Sequence, residues 1–121
     1  MQKRMVIGKG RKQVTIDIGS EYTGLAQIYI NGIIDEYGKY TTMNLWFAKT
    51  DVGGVYGMEP TASQVKRAIE RTLYTAKQVV SDTQGWRHAN TERLEEVYDQ
   101  VGEMSVSEFE SEEAELVEGG A

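Results

Sequence analysis

Cysteine is absent from the sequence, which excludes disulfides, thiolate metal sites and cysteine nucleophiles. Histidine is almost absent. The single one, His88, stands beside a probable helix start, and no G-x-S-x-G elbow accompanies it, so a Ser-His-Asp site has little to build on. One histidine without cysteine also leaves a zinc site short of ligands. Neither an acidic calcium-loop spacing nor a Walker loop is present. The carboxylate pairs Asp35-Glu36 and Glu95-Glu96 are adjacent in sequence. Neighbours do not face one another on a strand or helix, so both pairs read as solvated charges. The expectation is a protein that is not an enzyme and carries no metal or cofactor. No apolar run approaches the roughly 18 residues of a membrane span, and MVIG is too short for a signal-peptide core. No membrane partner is expected, and the cytoplasm is the expected compartment (the host's, if the protein is viral). Proline occurs once, as Pro60, so no proline-rich linker divides the chain.

The 121 residues that remain suit one domain with one modest core. Their charge is unevenly placed. Residues 1–102 hold all 13 Lys and Arg against 12 Asp and Glu, whereas residues 103–121 hold seven Glu and no base. The division expected is a body over 1–102 and an acidic tail over 103–121. The tail has few apolar residues and reads as mobile. Ser107 and Glu110 have the spacing of a cap, so a short helix there is the alternative. Five bases among the first twelve residues, Lys3, Arg4, Lys9, Arg11 and Lys12, balance it at the other end. Solvated termini, or a tail competing with an anionic ligand for a basic surface, both account for this arrangement.

The first half has the period of strands. QVTIDIG alternates Val14, Ile16 and Ile18 against Thr15 and Asp17. GLAQIYI and IIDEY flank Asn31-Gly32, which predicts a hairpin there. In YTTMNLWFA, Thr41, Met43, Leu45 and Phe47 share one face. The second half has the period of helices. Thr61 and Gln64 form a capping box after Pro60, and Val65, Ala68, Ile69, Thr72, Leu73, Ala76, Val79 and Val80 make an apolar stripe. Asn90 is read as the N-cap of a second helix with Leu94, Val97, Tyr98 and Val101 on its buried side, and Gly102 as its stop. The fold class expected is α+β: an N-terminal antiparallel meander of four or five strands over about 13–58, then helices over about 61–82 and 90–102 packed on the sheet. Tyr29, Trp46 and Thr42 make the other sheet face rather apolar for solvent, so a homodimer or higher homo-oligomer is expected.

Two segments carry binding chemistry. Gly53, Gly54 and Gly57 precede the first helix, and such a loop either cradles phosphate with the helix N-terminus or is a plain strand-to-helix turn. The connector QGWRHANTERLEE holds Trp86, Arg87, Asn90 and Arg93, and the first helix adds Arg67 and Arg71. An aromatic ring among arginines suits a planar base joined to phosphates. The candidate ligand-binding residues are therefore Trp86, Arg87, Asn90, Arg93 and Arg71, with Trp86 as mere cover for the core as the plain alternative. Tyr29, Tyr37, Tyr40 and Trp46 with the basic N-terminus form the basis of a second reading, a single-stranded nucleic-acid binder. A protein inhibitor acting through its sheet surface is a third.

The layout over roughly residues 13–102 resembles the phage sponge proteins that counter Thoeris immunity by sequestering cyclic ADP-ribose signals. GLAQIYINGIIDEYG, YTTMNLWFA and the two helices carry the resemblance, and Trp86, Arg87, Asn90 and Arg93 look like that family's pocket. The resemblance implies a non-enzymatic binder of a small cyclic nucleotide-type ligand, such as a cyclic ADP-ribose isomer, in a pocket at a subunit interface. The acidic tail is not explained by it.

Overall fold

The structure is a computed structural model and describes residues 3–19, 25–48, 61–83, 87–110 and 115–118. Strands β1 (Lys3–Ile7), β2 (Val14–Ile18), β3 (Leu25–Ile34) and β4 (Tyr40–Ala48) form an antiparallel meander. Helices α1 (Ala62–Thr83) and α2 (His88–Glu103) follow and pack together, giving the α+β arrangement. A short helix, α3 (Ser107–Glu110), and a strand, β5 (Glu115–Glu118), come last; β5 runs parallel to β1, so the sheet order is β4-β3-β2-β1-β5. No helix among the described residues is long and apolar enough to cross a membrane.

The alternation of strand residues builds the core. Met5, Val14, Ile16, Ile28 and Ile30 are fully buried from the sheet side, and Ile69, Leu73, Leu94, Val97 and Val101 meet them from the helices. Thr61 and Gln64 cap α1 reciprocally: the Gln64 N–H donates to Thr61 Oγ1 at 3.2 Å and the Thr61 N–H to Gln64 Oε1 at 2.8 Å.

The structure departs from the sequence expectations at five places. A strand precedes residue 13, because Met5 and Ile7 reach the core while Arg4 stays outside. Asn31-Gly32 is not a hairpin. β3 continues through it with a register shift between Asn31 and Ile33, and the chain reverses at Asp35–Lys39 instead. Asp35 Oδ1 holds that turn by accepting from the N–H groups of Tyr37 and Lys39, both at 2.9 Å, and Gly38 takes a φ of +80°. Asn90 is not the cap of α2, which begins two residues earlier at His88, and Gly102 lies inside the helix rather than after it. The acidic tail is not all loose: Phe109 on α3 is fully buried and packs on the helix side, and β5 extends the sheet. Val79 and Tyr98, both expected in buried stripes, are 54% exposed and half-buried respectively.

Candidate functional site

The connector's side chains turn out to join the two layers. β3 is longer than its neighbour β2, which pairs only with residues 27–30. The overhanging end of β3 therefore presents unpaired backbone groups, and buried backbone groups must find partners. α2 supplies them from successive turns. Arg87 donates to the Asp35 carbonyl. The Asn90 amide accepts from the Ile34 N–H at 2.8 Å and donates to the Ile34 carbonyl at 2.9 Å, copying an adjacent strand. Arg93 Nε donates to the Asn31 carbonyl at 2.8 Å, and its Nη1 meets Glu96 Oε1 at 2.5 Å. Asn90 is 1% exposed and Arg93 5%. The polar atoms of Asn90 and Arg93, both in the sequence-based ligand set, are thus engaged in joining helix to sheet. Arg87, half-buried, shares that duty. Trp86 and the Gly53–Gly57 loop lie outside the described residues.

The 3-10 turn at Gly10–Lys12 closes on the same strand end. Asn31 Nδ2 donates to the Gly10 carbonyl at 2.9 Å. A Cβ on Gly32 would stand 2.4 Å from the Arg11 carbonyl and 3.1 Å from Arg93 Nε, and its φ is +85°. Only glycine permits that approach. A cleft of about 270 Å³ opens here, lined by Arg11, Lys12, Tyr40, Arg93 and Glu96 among others. Its cations are already engaged within the cleft. Lys12 lies 3.1 Å from Glu96, Arg93 is on the same carboxylate, and the Arg11 guanidinium sits 3.8 Å over the Tyr40 ring. Burial alone would raise the Glu96 carboxyl. Hydrogen bonds from Lys12 and Arg93 and the charges of both outweigh it, and its pKa falls below the ordinary value. With two of its three cations shared by one carboxylate and the third stacked on a ring, this cleft is less open to an anion than its cation count suggests.

Arg71 is placed differently. It is exposed on α1 and borders a cleft of about 520 Å³ between the helices, with Arg67, Glu70, Tyr74, Thr75 and Tyr98. The Tyr74 and Tyr98 rings have centroids 6.2 Å apart at 56°, and Lys77 Nζ stands 5.3 Å from one ring and 5.6 Å from the other. The one carboxylate, Glu70, lies 3.9 Å from Lys66. Helical spacing collects Arg67, Arg71, Tyr74 and Lys77 on one side of α1. That side was legible in the sequence, whereas Tyr98 was not, since its spacing from Leu94 matches a core position. Among the described residues no three His, Asp or Glu side chains gather as a metal site requires. In comparison with known proteins, no family model, curated protein or solved structure matches the chain.

Proposed function

We propose that the protein binds a small nucleotide-type anion in the cleft between α1 and α2 and holds it without converting it. The observation that carries this is the pair of tyrosine rings flanked by Arg67, Arg71 and Lys77 in an open cleft. A tyrosine face suits a planar base, and guanidinium groups pair with phosphate oxygens in bidentate fashion. Arg71 belongs to both the sequence-based ligand set and this cleft. The resemblance to the Thoeris sponge proteins supports the same chemistry, a cyclic ADP-ribose isomer sequestered in the host cytoplasm as a counter-defence. The sequence's single histidine without a G-x-S-x-G elbow, and the lack of a metal cluster among the described residues, motivate the non-enzymatic form of the proposal.

Calorimetry against cyclic ADP-ribose isomers, cyclic dinucleotides and a short single-stranded oligonucleotide tests it. A small nucleotide is expected to bind, and heating the complex is expected to release it intact. Stacking on an aromatic side chain contributes roughly 1–3 kcal/mol, so Tyr74→Ala should weaken binding about 5- to 150-fold. Arg71→Ala should weaken it as well, with less loss at high salt. Release of an altered ligand overturns the binder in favour of an enzyme. Tight oligonucleotide binding that falls steeply with salt, without response to small nucleotides, favours the second reading. The observation on its side is Trp46, 63% exposed on the outer sheet face that it shares with Tyr29.

A further inference from the structure

The two edges of the sheet are built differently. The β5 edge is four residues long and begins and ends with Glu. The β4 edge is nine residues long, YTTMNLWFA, with no charge and no proline. Exposed edges offer a row of unpaired backbone groups, and proteins usually blunt them with short strands, charges, proline or bulges. β4 has none of these, since the irregularity in its ladder lies on β3. Behind the same edge runs an apolar groove of about 690 Å³ between β4 and α1, lined by Met43, Leu45, Phe47, Ala68, Ala76 and Val79 among others. Among the described residues no strand pairs the outer side of β4.

We infer that this edge and groove are covered by a second copy of the chain, paired β4 to β4 antiparallel about a two-fold axis at Asn44. Side chains in an antiparallel pair share a face with their opposites, so a self-paired strand must match itself by face. Centring on Asn44 does this over the whole strand. Met43 meets the partner's Leu45 on the helix side, and Thr42 meets the partner's Trp46 on the outer side. Within Tyr40–Ala48 no like charges oppose one another, because the strand itself has none. The axis stands perpendicular to the sheet, so both α1 helices lie on one side and the two grooves face each other. Nine residues of strand span about 30 Å and the sheet layer is about 10 Å deep, so the strand edges alone supply about 300 Å² per copy. The walls of the two grooves must close on each other to reach the roughly 500 Å² per partner that a specific interface needs. An isologous pairing of this kind closes as a dimer and leaves only the blunted β5 edges.

The chain's lack of cysteine makes the register directly testable. Sedimentation equilibrium of the full chain should give about 27 kDa rather than 13.6 kDa. Asn44→Cys puts two sulfurs opposite each other with Cα atoms about 4.5–5.5 Å apart, within disulfide reach, so it should cross-link on mild oxidation. Thr42→Cys, two residues away, places its sulfurs about 13 Å apart along the strands and should not. A monomeric mass, a dimer in which Cys at 44 fails to cross-link, or equal cross-linking of both variants overturns the inference.

Discussion

A single asparagine side chain does the work of a short strand. The amide of Asn90 has the donor and acceptor geometry of a peptide group, and it satisfies both backbone groups of Ile34 while nearly wholly buried. Asparagine is favoured at helix caps because its side chain competes for local backbone partners. In this fold the partner is 56 residues away in sequence, and nothing local announces it. Replacing Asn90 by alanine leaves a part-buried N–H and carbonyl without that partner. Each such group costs about 1–3 kcal/mol when fully buried, so Asn90→Ala should lower stability by about 2–6 kcal/mol, towards the lower end because both are only part-buried. Urea denaturation should show the midpoint falling with the slope unchanged.

At the scale of elements, what the sequence revealed was the part set by period. The alternation Val14-Thr15-Ile16-Asp17-Ile18 and the stripe Val65-Ala68-Ile69-Leu73 occur as strand and helix, and the Thr61–Gln64 box caps α1. Turns were harder to place. Asn31-Gly32 and Asp35-Glu36-Tyr37-Gly38 are both valid reversal signals, starting four residues apart. What selects the second is tertiary: the 3-10 turn at Gly10–Lys12 and Arg93 need the space beside Gly32. The candidate site was half legible, since one side of α1 could be read but its cross-helix partner Tyr98 could not. α3 shows the limit of composition. Its surroundings are acidic and polar, yet one phenylalanine commits it to the core. Truncating a buried phenylalanine costs about 3–5 kcal/mol through lost transfer energy and a residual cavity. Phe109→Ala should therefore destabilise by about that amount, and a thermal melt followed by circular dichroism checks it.

Across the whole molecule, charge is sorted by layer, and among the described residues two charged side chains are buried: Arg93, which has its partners, and Lys3. Lys3 is 2% exposed, and its ammonium has no hydrogen-bond partner among the described residues. Burial lowers its pKa from 10.5, and the Glu108 carboxylate offsets part of that. The folded state thus binds fewer protons than the unfolded state between the lowered pKa and 10.5. Stability should rise with pH through that interval and be least where the amine is charged in both states. Lys3→Met should raise the denaturation midpoint at neutral pH and flatten its rise towards pH 10. The same end of the sheet has a history in time. β1 is the first strand to be synthesised among those described, and its outer neighbour β5, which pairs Leu116 with Met5, is the last. A ribosome adding roughly 5–20 residues per second leaves the outer edge of β1 open for on the order of ten seconds. During that interval Arg4 gives the nascent edge a charge, and the parallel ladder can pair only once β5 has been made. During synthesis the fifth strand is therefore the last that can join the sheet, after the four meander strands and both helices have been made.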